Sequence, residues 1–236
     1  MSALLPNPKC RTNAQCSLAG LVAVLDISGA LFFPDDRLLV VADLHLEKGT
    51  SGAKRGIFLP PYDTQITLAL LSKTVAKYEP EKLILLGDSF HDAHAPHRLE
   101  DSAAATLRAL ARTCELFWIT GNHDPQIPQS IAATCITELS FAGLHFTHIP
   151  QTAADVPQIS GHLHPVVTVT GRGRNIRRRC FVTDGERMIL PAFGAYTGGL
   201  NIKDKAFDGL FKHDRLMTHV ISDQGIYSLP VTASHR

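Results

Sequence analysis

Hydrophobic positions recur with two different periods along this chain, and the change of period divides it into two unlike parts. Leu21 to Ile27 and Ala30 to Phe33 are apolar runs separated by Ser28-Gly29, the pattern of a hairpin. Leu38 to Ala42, Leu83 to Leu86 and Leu116 to Ile119 are short continuous apolar runs, as expected of strands covered on both faces. Between them the spacing lengthens. Asp63 can start a helix that runs to Tyr78, with Leu68, Leu71, Val75 and Tyr78 on one stripe. A second helix, over 98–113, carries Leu99, Ala103, Leu107 and Leu110 on its stripe. Buried strands alternating with amphipathic helices predict βαβ units and an α/β fold.

Beyond Thr134 the helical spacing stops. Leu144 to Thr147, Val166 to Thr170, Cys180 to Thr183, Met188 to Pro191, Thr218 to Ile221 and Ile226 to Leu229 read as strands, so a β-rich half follows the α/β half. Residues 1–17, with Pro6, Asn7, Pro8 and Asn13, read as a loose arm, and Gly49 to Pro61 as a Gly-rich basic loop. No repeat, low-complexity stretch or Ser/Pro/Gly-rich linker separates the halves. A single domain is therefore expected over 18–236, a length that one α/β unit commonly reaches.

Composition narrows the classes. With 44% hydrophobic residues the chain can bury a sizeable core. Its net charge of +1 excludes nucleic-acid binding by overall charge, so any such contact needs a local patch. The cysteines at 10, 16, 114, 135 and 180 are odd in number and form no Cys-x-x-Cys pair, the usage of a reducing compartment. Met1 to Cys16 lacks the order of a signal peptide, and Asp26 interrupts the most apolar stretch before it reaches about 18 residues. No membrane span is expected, and the expected location is cytoplasmic.

The chemistry gathers at the C-terminal ends of the predicted strands, where open α/β sheets build their sites. The first ends in Asp43-Leu44-His45, the second in Gly87-Asp88-Ser89-Phe90-His91, the third in Gly121-Asn122-His123-Asp124. Later, Phe146-Thr147-His148 closes another strand, and Gly161-His162-Leu163-His164 offers two imidazoles. Six of the chain's 12 histidines lie in these five fragments. Any one fragment recurs by chance. Together they would bury carboxylates and imidazoles at a cost of several kcal/mol unless a partner is supplied, and a metal pair is the commonest such partner. On an extended backbone, residues two apart point the same way, so Asp43 and His45 can face one ion.

In order and spacing, Asp43-x-His45, Gly87-Asp88-x-x-His91, Gly121-Asn122-His123-Asp124, His148 and Gly161-His162-x-His164 resemble the calcineurin-like metallophosphoesterase superfamily, with every ligand position filled. The resemblance implies a two-sheet β-sandwich flanked by helices in αββα layers. It implies one metal on Asp43, His45, Asp88 and His164 and another on Asp88, Asn122, His148 and His162. Asp88 and a water would bridge the two. Donors of this mixture, without Cys, suit Mn²⁺ first, with Fe, Zn²⁺ or Mg²⁺ as alternatives. The bridging water would attack phosphorus in line, and His123 would face the leaving oxygen, oriented by Asp124 or a backbone carbonyl.

Three features point toward nucleic acid. Gly87 to His91 resembles the Mre11-type nuclease branch, in which this His lies beside the scissile phosphate. Arg172, Arg174, Arg177, Arg178 and Arg179 form a basic run that either grips phosphates or guards a strand edge. Lys48, Lys54 and Arg55 follow the first motif within reach of a substrate. Val41 to Gly49, Arg55-Gly56, Leu59 to Asp63, Gly161 to Pro165, Leu190 to Gly194 and Thr197 to Gly199 are similar to the ligase-associated DNA damage response endonucleases (PdeM). That similarity implies cleavage of single-stranded or damaged DNA alongside an ATP-dependent DNA ligase and a helicase. The alternatives are a small-molecule phosphodiesterase or nucleotide phosphatase, and a non-catalytic scaffold. The β-rich tail would suit a dimer.

Overall fold

The computed structural model describes residues 12–54, 56, 62–124, 127–152, 156–171 and 174–231. Seven strands form the first sheet in chain order: β1 (Asn13–Leu18), β2 (Leu21–Asp26), β3 (Leu31–Phe33), β4 (Leu38–Val41), β5 (Lys82–Leu86), β6 (Glu115–Ile119) and β7 (Thr134–Ile136). From β1 to β4 the neighbours are antiparallel, and from β4 to β7 they are parallel. Helices α2 (Asp63–Tyr78) and α3 (Asp101–Thr113) lie on the crossovers, and a short α1 (Lys48–Lys54) precedes them.

The second sheet contains β8 (Glu138–Phe141), β9 (Leu144–Thr147), β10 (Gln158–Ser160), β12 (Arg174–Thr183), β13 (Arg187–Ile189), β14 (Met217–Ser222) and β15 (Gly225–Pro230). Their order is β15-β14-β12-β13-β10-β9-β8, and β11 (Val166–Gly171) pairs antiparallel with the first half of β12.

Side-chain alternation builds the layers. Along β4, Leu39 and Val41 join a core beneath α2 and α3, whereas Leu38 and Val40 join the core between the sheets. Strand β5 does the same, with Leu83 and Leu85 toward the helices and Ile84 and Leu86 toward the second sheet. This is why both strands are apolar throughout. The outer face of the second sheet is closed by the 3₁₀ turns Lys205–Phe207 and His213–Arg215 and their flanks, with Phe207, Leu210 and Phe211 packed on Cys180, Val182 and Val220.

Three local expectations change. Residues 13–17 are not part of an arm, because β1 pairs with β2 from Asn13↔Asp26 to Leu18↔Leu21. Ala19 and Gly20, at φ 51° and 83°, supply the two-residue turn whose twist suits a hairpin. Exposed Asn13 and Gln15 on this edge strand hid it. The segment after Glu47 is helical despite Gly49 and Gly52, because Asp63 accepts the N–H groups of Lys48 and Gly49 at 2.9 and 3.2 Å. The second helix starts at Asp101, after a 3₁₀ turn over Ala95–Arg98.

Candidate metal centre

The five fragments meet at one end of the sandwich. Segment 42–46 leaves β4 and is held from two sides by backbone hydrogen bonds. His45 N–H donates to Asp88 O at 2.9 Å and Leu46 N–H to Ser89 O at 2.8 Å. On the other side, Phe193 N–H donates to Ala42 O at 2.9 Å and Gly194 N–H to Asp43 O at 3.1 Å. The tail segment around Leu190 to Gly194 thus forms a wall of the site.

The backbone here is not extended. Asp43, His45, Asp88, His162 and His164 have φ of 56°, 44°, 46°, 69° and 47°, and Glu47 has 64°. Left-handed backbone at a residue with a side chain costs on the order of 1–3 kcal/mol in constrained settings and persists only where the surroundings impose it. Close packing imposes it here. A Cβ on Gly121 would overlap the Asp88 carboxylate, one on Gly87 would overlap His148, and one on Gly194 would overlap Leu44 O. Asp43 and His45 therefore converge through a twisted turn rather than through the alternation of a strand.

Two donor groups result. Asp43, His45 and His164 offer one atom each within 4.8 Å of one another, and so do Asp88, His148 and His162. His162 and His164, two apart in sequence, are divided between the groups. Asn122 joins the second group, with Oδ1 3.1 Å from His148 Nε2.

The tautomers are fixed from behind. His148 Nδ1–H donates to Leu86 O at 3.2 Å, and His164 Nδ1–H donates to Gly198 O at 3.1 Å. Each ring then turns its Nε2 lone pair inward. His164 Nε2 lies 3.1 Å from Asp43 Oδ1 and 3.3 Å from His45 Nε2. His148 Nε2 lies 3.3 Å from Asp88 Oδ2 and 3.2 Å from His162 Nδ1. Lone pairs and carboxylates aimed at one point repel unless a cation lies between them. Ligand bonds of about 2.0–2.1 Å place neighbouring donors roughly 2.9–3.4 Å apart, which is the spacing seen. The residues present fit a pair of divalent ions.

Electrostatics agree with the geometry. Burial, with His164 alongside, pushes the His45 imidazole down to about 2. Burial also holds His162 below its ordinary value. His148 is raised, since Asp88 and Asp43 outweigh its burial. Burial works against the Asp88 charge, but His148, the His123 N–H and His45 bring its carboxyl down to about 2.

His123 and His91 stand at the mouth. His123 N–H donates to Asp88 Oδ1 at 2.9 Å, its Nδ1–H donates to His91 O at 2.9 Å, and its Nε2 lies 3.8 Å from Asp88 Oδ2. The His123 side chain is 42% exposed, and its ring stacks on His91 at 5.7 Å. The orienting partner is thus a backbone carbonyl. Asp124 is buried and turned away, accepting from Ser89 N (2.8 Å), Phe90 N (3.3 Å), Gly121 N (2.9 Å) and Trp118 Nε1 (3.3 Å). Burial, with the charge of Asp88 nearby, raises its carboxyl to about 6. It shapes the loops that carry Asp88 and His123.

The described arginines of the basic run, Arg177, Arg178 and Arg179, do not form one surface. Strand alternation places Arg178 opposite Arg177 and Arg179. Arg178 pairs with Asp223 at 3.2 Å, Arg179 donates to Ala192 O at 2.7 Å, and Arg177 donates to Gly199 O. Lys48 is half-buried at the start of α1. Arg55 and Arg172 lie outside the described residues.

Sequence reasoning passed over the supports. Buried Glu47 accepts from Thr50 and Thr64 hydroxyls at 2.8 and 2.9 Å. Arg98 grips Asp92 at 3.0 and 2.7 Å and reaches Thr50 Oγ1 at 3.1 Å, tying the loop after His91 to α1. Asp92-x₅-Arg98 has no distinguishing pattern in sequence.

A two-sheet α/β sandwich with two Asp/His donor groups at its strand ends defines a metallophosphoesterase. Residues 36–186 match the calcineurin-like phosphoesterase family, and the chain belongs to that family. It is a metal-dependent phosphoesterase. Among solved structures it is similar to the Pseudomonas putida nuclease MPE, at 26% identity and a TM-score of 0.72, covering 92% of this chain and 100% of that one. The phosphoesterase Yfce from E. coli shares 15% identity at a TM-score of 0.42, covering 83% and 99%. A comparison with curated protein sequences yields no match. Among the described residues no helix is long and apolar enough to cross a membrane.

Proposed function

We propose that this chain hydrolyses phosphodiester bonds in DNA at a centre of two divalent ions. One ion would be held by Asp43, His45, Asp88 and His164, the other by Asp88, Asn122, His148 and His162. The observation that carries the reading is the inward convergence of imidazole lone pairs on carboxylates, which repel without a cation: His164 Nε2 lies 3.1 Å from Asp43 Oδ1 and His148 Nε2 3.3 Å from Asp88 Oδ2. Mixed carboxylate, amide and imidazole donors favour Mn²⁺ over a site made for Ca²⁺. When bound, two such ions neutralise charge at the phosphoryl oxygens and bring the ionisation of water toward neutral pH.

The protein's own groups would do the rest. Asp88, held by the His123 N–H at 2.9 Å, would keep both donor groups in register. With Nδ1–H fixed on the His91 carbonyl, His123 would turn Nε2 to the departing oxygen and hydrogen-bond or protonate it. His91, stacked on His123, would line the phosphate's other side. Asp124 would act as a positioning residue through the N–H groups of Ser89 and Phe90.

A nucleic-acid substrate is supported by the likeness to nuclease MPE over nearly the whole chain, and DNA in particular by the resemblance of segments of this chain to the ligase-associated endonucleases. On the resemblance of its segments to the ligase-associated endonucleases, the proposal extends to a cytoplasmic repair role beside an ATP-dependent DNA ligase and a helicase. A small phosphodiester substrate is the second reading. It is favoured by the engagement of Arg178 and Arg179 within the protein, which leaves no continuous basic surface among the described side chains of β12.

The test is hydrolysis of bis(p-nitrophenyl) phosphate and labelled single-stranded DNA by metal-stripped protein given Mn²⁺, with His123→Ala as control. Cleavage of both, lost in the variant at unchanged metal content, supports the nuclease. Cleavage of the small diester alone leaves a phosphodiesterase and removes DNA. Cleavage of neither with two metals bound refutes both readings.

A further inference from the structure

Tyr196 is 46% exposed, belongs to none of the three apolar clusters, and has a left-handed φ of 57°. Such backbone is uncommon for an aromatic residue and marks a conformation set by its surroundings. The surrounding loop is fastened on both sides of it to the metal centre. Two residues before it, Gly194 N–H donates to Asp43 O at 3.1 Å, and one residue before it, Ala195 N–H donates to Thr67 Oγ1 of α2 at 3.0 Å. Two residues after it, Gly198 O receives the His164 Nδ1–H at 3.1 Å. Two residues of chain span at most about 7 Å, so the root of Tyr196 lies within that distance of groups bonded to residues of the site. Exposed Arg177 donates to Gly199 O on the same loop.

Neither folding nor the ligand set requires an exposed ring there. A left-handed position is met with less strain by Gly or Asn, and a residue exposed to this extent outside the apolar clusters contributes little to the core. A ring beside a phosphodiester-cleaving centre has a use when the substrate carries flat apolar faces of its own.

We propose that Tyr196 is a stacking platform for one base of a single-stranded polynucleotide, next to the scissile phosphate, with Arg177 contacting a neighbouring phosphate. The inference rests on the nuclease reading above. Stacking on an aromatic side chain is tolerant of sequence, because every base has a face to offer, and a guanidinium fork matches a phosphate. A duplex keeps its bases stacked on one another and cannot present a face to Tyr196, so the platform selects unpaired strands.

The test compares KM for a thymidylate oligonucleotide with KM for a strand of equal length whose residues are abasic, using the full chain loaded with Mn²⁺. The wild type should prefer the base-bearing strand by roughly 5- to 150-fold, the range of one stacked base. Tyr196→Ala should bring the two KM values together, and Tyr196→Phe should keep them apart. The ratio is taken within each variant, so partial loss of folded protein cancels. Arg177→Gln should weaken both strands alike and reduce the salt slope of binding by about one ion. An unchanged ratio in Tyr196→Ala overturns the platform while strand cleavage keeps the nuclease reading intact. Failure of the wild type to cleave either strand overturns that reading, and the platform with it.

Discussion

Replacing Gly121 by Ala puts the packing of the metal centre to a direct test. An ideal Cβ on Gly121 would lie 2.9 Å from Asp88 Cγ and closer still to the carboxylate oxygen and backbone nitrogen of Asp88, whereas ordinary contact begins at 3.4 Å. Asp88 must therefore withdraw by more than about 1 Å at its carboxylate oxygen and backbone nitrogen, beyond the roughly 0.5 Å within which a working site has to be held. Asp88 has nowhere neutral to go. Its Oδ1 receives the His123 N–H at 2.9 Å, and its Oδ2 lies 3.3 Å from His148 Nε2. Overpacking of this kind costs about 1–3 kcal/mol. For a chain of this size that lowers Tm by about 2–4 °C per kcal/mol. Metal affinity should fall more steeply, by about 10- to 100-fold, as when other groups that orient a ligand are disturbed. Gly198→Ala is the matched control, because a Cβ there meets nothing within 4 Å. Calorimetric titration of metal-stripped protein with Mn²⁺, together with thermal unfolding, reads both effects. If Gly121→Ala binds two ions as tightly as the wild type and melts within a degree of it, the crowding around Asp88 does not hold the site together and the reasoning fails.

Two further outcomes follow from groups outside the donor set. Arg179→Met removes the hydrogen bond to Ala192 O and should cost about 1–3 kcal/mol, with KM for DNA unchanged within twofold, while Arg178→Ala, which breaks a surface pair with Asp223, should stay within about 0.5 kcal/mol. A raised KM with unaltered Tm in Arg179→Met would return that residue to substrate binding. His219 is buried, hydrogen-bonded to Ser228 Oγ at 2.7 Å through Nδ1, and has no partner at Nε2 among the described residues; burial holds its imidazole below the ordinary value. The folded ring is neutral, so its contribution is full above about pH 6.5 and is lost as pH falls below that, when the unfolded chain takes up the proton more readily. His219→Phe should therefore flatten the fall in Tm between neutral pH and pH 5, and an unaltered slope would refute this.

Much of the fold and the candidate site is legible in residue order. Strand β9 and helix α2 begin and end where the apolar spacing changes, and the five polar fragments follow predicted strands or form the strand-end pairs expected of a metal site. These features are local. Each depends on a period of two or 3.6 residues, or on neighbours a few positions apart. Strand β1 and helix α1 were hidden because their support comes from elsewhere, from pairing with β2 and from the carboxylate of Asp63.

By itself the sequence determines which residues can serve as donors and that they fall at strand ends, since composition and periodicity travel with the chain. Only the tertiary structure decided how those donors divide and what holds them. His162 and His164 separate into two groups, Asp124 turns inward to four N–H donors, and the arginines of β12 split across its two faces. The reason is distance along the chain. His45 meets His164 across 119 positions, and Asp124 meets Ser89 across 35. The left-handed turns that aim Asp43, His45 and His164 are imposed by segments packed against them, such as Gly194 on Leu44, rather than by their own preferences.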